Sequence, residues 1–116
     1  MPLLMLETNQ ELSEENQEQL LKQLSITTAE ALGKPERYVM ISLRHNSHMM
    51  FAGSRDPLAY LELKSIGLPA DRTTELSNTL SNLVTSALDI AIDRVYIEFS
   101  DAERHLWGWN GGTFAR

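Results

Sequence analysis

Hydrophobic and polar positions along this 116-residue chain predict the same order of elements twice: a strand, a helix and a strand. In the first half, a short apolar run predicts a strand over Leu3–Thr8, and apolar residues at helical spacing predict a helix over 14–32. Ser13 is suited to cap the start of this helix and Gly33 its end, because serine accepts amide hydrogen bonds and glycine adopts the left-handed conformation. A run of strand-forming residues over 38–44 completes the first unit.

The second half repeats this order after a turn-rich connection. Its predicted elements are a strand over 58–65, a helix over 71–90 and a strand over 94–100. The segments Arg37-Tyr38-Val39 and Arg94-Val95-Tyr96 fall at equivalent points of the two halves, which indicates an internal repeat of about 55 residues. We therefore expect a single domain over 1–116, built from pseudo-repeats at about 2–56 and 57–116.

Two βαβ units predict an α/β fold of the α+β kind, in which one four-stranded mixed sheet carries both helices on one face. The right-handed crossover of each unit places its helix there and leaves the opposite face of the sheet bare. We expect this bare face to be apolar and therefore to need a partner, most simply further copies of the chain in a closed ring. Segments 48–51 and 107–115 are predicted to form short edge strands in that assembly.

Composition excludes several classes of function. The 10 Lys and Arg are scattered and outnumbered by 16 Asp and Glu, giving a net charge of −6, so we expect no nucleic-acid partner. The absence of cysteine excludes disulfides, thiolate catalysis and zinc–thiolate sites, and His45 and His48 lack a third ligand, so no metal is expected. Without a membrane-spanning run or a recognisable signal peptide, we expect a soluble, cytoplasmic protein with no membrane partner, leaving non-classical secretion open.

Pro2, directly after Met1, is the first candidate for chemistry. If Met1 is removed, Pro2 becomes a free secondary amine whose ring holds the lone pair in one direction, and such an amine can act as a general base. Base strength near pH 7 requires an apolar pocket or a nearby positive charge that lowers the pKa of the amine. A retained Met1 would make this nitrogen an amide, which cannot accept a proton. A chain that begins Met-Pro for structural reasons alone is the alternative.

Strand direction predicts which residues converge around Pro2. The first two strands are parallel, so Lys34, just before the second strand, lies at the same sheet edge as Pro2. If the second half runs antiparallel to the first, the segment 64–67 and the chain after Ser100 reach this edge as well. Tyr96 begins the last strand at the opposite edge, so it can approach Pro2 only across a subunit interface. Alone, Lys34 would be read as an ordinary lysine at a helix end.

Several short motifs occur in order along the chain: Met1-Pro2, Gly33-Lys34-Pro35, Ser65-Ile66-Gly67, Asp93-Arg94-Val95-Tyr96-Ile97, Gly108-Trp109-Asn110 and Thr113-Phe114-Ala115. Each motif is weak alone, but together with the proline at position 2 they closely resemble the macrophage migration inhibitory factor family of the tautomerase superfamily. The resemblance covers essentially the whole chain. It implies the tautomerase fold and a homotrimer.

This resemblance implies a cofactor-independent keto–enol tautomerase, an isomerase of the phenylpyruvate or dopachrome type acting on a small aromatic enol or keto acid. Pro2 would be the general base, Lys34 would hold the substrate carboxylate, and the aromatic residues would wall the ring of the substrate. Tyr96 of a neighbouring subunit would close the pocket. The implied substrate-binding residues are Lys34, Ser65, Ile66 (through its backbone amide), Tyr96, Glu98, Trp109 and Phe114.

Three positions depart from the mammalian cytokine: Glu98 replaces an asparagine, Lys64 a histidine and Trp107 an aliphatic residue. These changes alter the charge and width of the pocket. An ionised Glu98 would repel an acidic substrate, whereas a protonated Glu98 would donate a hydrogen bond to it. The identity of the preferred substrate therefore stays open. Residues 58–61 replace the CxxC motif of the cytokine, so thiol oxidoreductase activity is not carried over. Two alternatives are a non-catalytic, cytokine-like interaction trimer and a dehalogenase or decarboxylase supported by Glu98, for which no second arginine is convincingly placed.

Overall fold

The computed structural model describes residues 1–115, which form a mixed sheet with a helical layer on one face. The elements are β1 (Leu3–Thr8), α1 (Glu14–Leu32), β2 (Met40–His45), β3 (Ala59–Ile66), α2 (Thr73–Leu88), β4 (Val95–Ala102), β5 (Gly108–Trp109) and β6 (Gly112–Thr113). Within this range the main sheet has four strands in the order β2-β1-β3-β4, and β5 and β6 form a separate hairpin. β1 is parallel to β2 and antiparallel to β3, which is parallel to β4. The predicted fold class is confirmed.

Local sequence signals set the ends of α1. The Ser13 hydroxyl accepts a hydrogen bond of 3.2 Å from the amide of Asn16, and Gly33 ends the helix with a left-handed φ of 63°. The predicted bounds of this helix are therefore confirmed. α2 is shorter than predicted, because 70–72 form a 3-10 helix before it and Asp89 ends it with a φ of 54°. No helix within residues 1–115 is long and apolar enough to cross a membrane.

Two predicted strand segments differ from the structure. Residues 36–38 form a 3-10 helix, so β2 begins at Met40 rather than at Tyr38. The segment 48–51 is not an edge strand: its pairing within the described chain is the isolated bridge between Phe51 and Ser54. The turn between these two residues has positive φ angles and reverses the chain after Phe51. Pairing of 48–51 with a strand of a neighbouring subunit stays a prediction.

The core lies between the sheet and the helices. Leu4 and Leu6 of β1 pack beside Leu61 and Leu63 of β3, and none of these four side chains has exposed surface. The helices cover them with the buried residues Leu20, Leu24, Leu76, Leu80 and Val84. Successive side chains of a strand point to opposite faces, so this alternation decides which residues near Pro2 face the helices and which face outward.

The outward face of the sheet is largely polar, so the prediction of an apolar bare face was wrong. Its rows across β1, β3 and β4 are Glu7, Tyr60 and Tyr96; Met5, Glu62 and Glu98; and Leu3, Lys64 and Ser100. The Tyr60 hydroxyl lies 3.1 Å from a Glu62 carboxylate oxygen and 3.4 Å from one of Glu98. Partial burial and these two carboxylates raise the pKa of Tyr60 to about 12, because ionising the phenol would add a third negative charge. Among these three strands, only β1 has mainly apolar residues on the outward face. In β3 and β4, apolar residues that face the helices alternate with polar residues that face outward.

Candidate active site

The N-terminus is fixed at one end of the sheet by hydrogen bonds to the segment that enters β2. The Pro2 carbonyl accepts a hydrogen bond of 2.9 Å from the amide of Met40, and the Met1 ammonium donates one of 2.9 Å to the carbonyl of Tyr38. The Pro2 side chain is fully buried. Because β1 and β2 are parallel, the start of one strand lies beside the start of the other, and the chain terminus has a defined position.

A cavity of about 370 Å³ opens at this terminus. Its lining residues are Met1, Pro2, Leu3, Arg37, Tyr38, Val39, Met40, Trp107, Gly108, Trp109 and Phe114. The Trp109 and Phe114 rings are stacked with centroids 5.6 Å apart, and the Tyr38 ring meets both edge to face at 5.5 and 5.9 Å. The cavity is therefore a mainly aromatic and aliphatic space in contact with the beginning of the chain, which suits a flat aromatic ligand.

Burial and a neighbouring charge act on the terminal amine in this cavity. Burial is the larger cause and the positive charge of Lys34 the smaller, and together they lower the pKa of the Met1 amine from 8.0 to about 6. The Lys34 side chain is itself held in place, because its Nζ donates a hydrogen bond of 3.2 Å to the carbonyl of Ile66 at the end of β3. An amine at this point of the structure is therefore mostly neutral at pH 7.

The structure brings together five of the residues singled out from the sequence: Pro2, Lys34, Ile66, Trp109 and Phe114. Ser65 behaves differently, because its side chain is fully buried on the helix-facing side of β3 with its hydroxyl oxygen 3.4 Å from the Ile66 carbonyl. A hydroxyl in that position supports the strand end and does not reach the cavity.

Tyr96 and Glu98 lie away from the Pro2 cavity of their own protomer. The sheet register places Ser100 in the row of Leu3, so Tyr96 is four residues further along β4, about 13 Å from that row. Tyr96 is 64% exposed and its ring packs against Phe51 at 4.5 Å, while Glu98 contacts the Tyr60 hydroxyl. Within one protomer neither side chain takes part in the site.

Several cavity residues were missed from the sequence, chiefly Tyr38, Arg37 and Met40. Tyr38 supplies both the carbonyl that binds the chain terminus and a ring that packs on the aromatic wall, and the Arg37 guanidinium lies 4.9 Å from the centre of that ring. The parallel pairing of the first two strands is sufficient to predict that the residues just before β2 lie beside Pro2. Tyr38 was instead assigned to the strand itself.

No group of three or more His, Cys, Asp or Glu side chains within residues 1–115 is arranged to hold a metal ion. The polar groups at the cavity are a terminal amine, the ammonium of Lys34 and the guanidinium of Arg37. Cations beside an apolar, aromatic space suit an organic anion with a ring, and a neutral amine among them can exchange a proton with it.

Comparisons of sequence agree with this geometry. A family model described as macrophage migration inhibitory factor matches residues 1–115. A macrophage migration inhibitory factor homologue from Brugia malayi is 42% identical over 95 residues, which are 81% of this chain and 83% of the relative. The macrophage migration inhibitory factor of Mus musculus is 37% identical over 99 residues, covering 84% of this chain and 86% of the mouse protein.

Solved structures give the same result. The macrophage migration inhibitory factor homologue from Prochlorococcus marinus superposes with a TM-score of 0.90 at 42% identity, covering 97% of this chain and 98% of that one. The macrophage migration inhibitory factor of Toxoplasma gondii also gives a TM-score of 0.90, at 29% identity and with coverage of 97% and 99%. The similarity therefore extends over nearly the whole length of the chain.

Proposed function

The chain belongs to the macrophage migration inhibitory factor family within the tautomerase superfamily, and we propose that it is a cofactor-independent keto–enol tautomerase with Pro2 as its general base. The substrate is a small aromatic keto or enol acid of the phenylpyruvate type. In the reaction, the base removes the proton from the carbon next to the carbonyl, and the carbonyl oxygen gains a proton as the enol forms. The reverse reaction returns the proton to carbon, so no electrons or groups are exchanged with a cofactor.

The observation that carries this proposal is the lowered pKa of the terminal amine. The surroundings of the Met1 nitrogen bring its pKa to about 6, through burial and the charge of Lys34. Removal of Met1 makes the Pro2 nitrogen the chain terminus, one residue further into the same cavity. We propose that the same two causes then lower the pKa of this secondary amine, which favours the neutral form that can accept a proton.

Lys34 is the proposed partner of the substrate carboxylate. Its ammonium carries three donors, of which the Ile66 carbonyl accepts one, so donors remain for a ligand. The stacked pair of Trp109 and Phe114, with Tyr38 across their edges, is the proposed wall for the substrate ring. This arrangement aligns the substrate with its acid group toward Lys34 and its ring against the aromatic wall.

We propose that the active assembly is a homotrimer in which Tyr96 and Glu98 of one subunit approach the Pro2 cavity of the next. Several large hydrophobic side chains are more than half exposed in the single chain, namely Met40, Met50, Ile92, Tyr96 and Leu106. The outer edges of β2 and β4 are also unpaired within residues 1–115. Association covers such surfaces and open edges. The polar outward face of the sheet can remain solvated.

The direct test compares wild-type protein with Pro2→Ala in the tautomerisation of phenylpyruvate and hydroxyphenylpyruvate. Loss of a positioned base is expected to lower kcat/KM by about 10²- to 10⁴-fold. Intact mass must first show that Met1 has been removed from both proteins. Unchanged turnover in Pro2→Ala refutes the proposed base. Negligible turnover by processed wild-type protein instead favours the non-catalytic interaction trimer.

A further inference from the structure

A second cavity adjoins the cavity at Pro2. It has a volume of about 540 Å³ and shares Leu3, Trp107 and Gly108 with the first, so the two spaces adjoin at these residues. The remaining lining residues are Lys64, Ser100, Asp101, Ala102 and Leu106. The first cavity is aromatic; the second is more polar and contains one lysine and one aspartate. Together they form an elongated space that runs past the start of β1.

Lys64 is available to a ligand in this second cavity. It is exposed on the outward face of β3, opposite Leu3 in the antiparallel register, and therefore next to the row of Pro2. The salt bridges formed by residues 1–115 do not include Lys64. A cation of this kind, at the mouth of a cavity and without a carboxylate partner in the described chain, suits an anionic ligand.

The nearby carboxylates are engaged elsewhere. The Asp101 carboxylate accepts a hydrogen bond of 3.0 Å from the amide of Leu68. Glu62 and Glu98, on the same outward face as Lys64, contact the Tyr60 hydroxyl. Asp101 lines the second cavity and keeps its negative charge, but neither it nor Glu62 or Glu98 forms a salt bridge with Lys64 within residues 1–115.

The two lysines lie near the same end of β3. Lys34 is bonded to the carbonyl of Ile66, and Lys64 lies two residues earlier on the same strand, about 7 Å away along β3. One ammonium therefore stands beside the Pro2 cavity and the other in the adjoining cavity. A flat acid with carboxylates at opposite ends has the length and the charge to meet both.

We propose that Lys64 is a specificity residue that binds a second carboxylate of the substrate, so that the preferred substrates are keto or enol acids carrying a carboxylate at the end remote from the reacting carbon. The identity of the reaction rests on the proposed function. The anion site itself does not depend on the proposed function, because binding of a dicarboxylate to Lys64 requires no proton transfer.

The test measures binding of two unreactive flat acids, cinnamate and para-carboxycinnamate, by isothermal titration calorimetry with full-length protein. Wild-type protein is expected to bind the dicarboxylate at least about 10-fold more tightly than the monocarboxylate, because one hydrogen bond between charged groups contributes a difference of this size. In Lys64→Met the ratio of the two dissociation constants falls to about one, and Lys64→Arg preserves it. Lys22→Met, at an exposed lysine of α1 paired with Glu18, is the matched control and keeps the wild-type ratio.

Two results overturn the inference: no preference for the dicarboxylate in wild-type protein, or a preference that survives in Lys64→Met. Circular dichroism checks that each variant is folded, and Lys64→Gln replaces Lys64→Met if the latter is not. Turnover of phenylpyruvate and para-carboxyphenylpyruvate is measured alongside. A dicarboxylate preference without turnover of either acid rejects the tautomerase function and leaves the anion site standing. Turnover of both acids at equal efficiency, with equal binding, rejects the anion site and leaves the tautomerase.

Discussion

The ammonium of Met1 lies 2.9 Å from the carbonyl oxygen of Tyr38 and donates a hydrogen bond to it. This contact joins the chain terminus to the segment just before β2, at the end of the sheet where Lys34 is bonded to Ile66. The terminal amine is thus placed in a cavity and beside a cation, and both lower its pKa. Parallel pairing of β1 and β2 is the physical reason that the first residues and Lys34 meet.

Replacing Lys34 with methionine is expected to change both the pH profile and substrate binding. Removing its charge raises the pKa of the terminal amine, so the rising limb of kcat/KM moves to higher pH, although part of the lowering remains because burial is the larger cause. Losing the carboxylate partner lowers kcat/KM at the optimum by about 10- to 100-fold. Steady-state kinetics across pH measure both effects, with Lys22→Met as the control. If kcat/KM of Lys34→Met rises at the same pH as that of the wild-type protein, the role proposed for Lys34 is contradicted.

Phe114→Ala is expected to weaken the use of aromatic substrates selectively. The Phe114 ring stacks on Trp109 and meets the edge of Tyr38, so its removal opens the wall proposed for the substrate ring. An aromatic contact of this kind corresponds to about a 3- to 10-fold change in kcat/KM. The comparison is between phenylpyruvate and an aliphatic 2-keto acid of similar length, with thermal unfolding as the check on folding. An equal loss for both acids would show that Phe114 does not recognise the ring.

Mixing two inactive variants tests whether the site is shared between subunits. Pro2→Ala and Tyr96→Ala, unfolded together and refolded as mixed trimers, recreate complete sites wherever Pro2 and Tyr96 come from different chains. Random assembly of equal amounts restores activity at about a quarter of the sites. A mixture of Pro2→Ala with Lys34→Met is the control, because both residues lie in one protomer and no complete site forms. Failure of the first mixture to recover activity contradicts an intersubunit site.

Arg94→Lys is expected to loosen the loop that supports Tyr96. The Arg94 guanidinium donates hydrogen bonds of 3.0 to 3.1 Å to four backbone carbonyls within residues 51–57, and Phe51 of that loop packs on the Tyr96 ring. A lysine cannot make this set of bonds, so the free energy of unfolding falls by about 1–3 kcal/mol.

Hydrogen–deuterium exchange supplies the local readout for Arg94→Lys. Amides of 51–56 are expected to exchange faster in this variant, while those of the core strands keep their relative protection. Arg104→Lys changes an exposed arginine outside this network and serves as the control. Equal protection of 51–56 in the two variants would show that the hydrogen bonds of Arg94 do not hold this loop in place.

Local signals were sufficient for much of the fold. The bounds of α1 follow from Ser13 and Gly33, whose side-chain and backbone properties act within a few residues and so can be read from the chain. The strand order follows from the repeat of the βαβ unit. The site was partly predictable for the same reason, because parallel strands bring Lys34 to Pro2 whatever packs around them.

Side-chain alternation along the strands and nonlocal packing together explain the differences. Ser65 follows the alternation of β3 and turns its side chain toward the helices, although its neighbour Ile66 presents its carbonyl to Lys34. Strict alternation from Leu61 and Leu63 is sufficient to predict that orientation. The polar outward face follows from the same alternation in β3 and β4. Parallel strand pairing places Tyr38 beside the N-terminus, but the contacts of its ring with Trp109 and Phe114 depend on the packing of the C-terminal segment, which no local pattern specifies.

The most direct measurement is the pKa of the Pro2 nitrogen in the processed protein, followed by ¹⁵N NMR of labelled proline across pH. If Pro2 is the general base, burial and the charge of Lys34 are expected to lower the pKa of its nitrogen below that of a solvent-exposed secondary amine, so that the nitrogen is mostly neutral at pH 7 and kcat/KM rises as it loses its proton. A nitrogen that stays protonated at pH 7, as a solvent-exposed secondary amine does, would contradict the proposal that Pro2 is the general base.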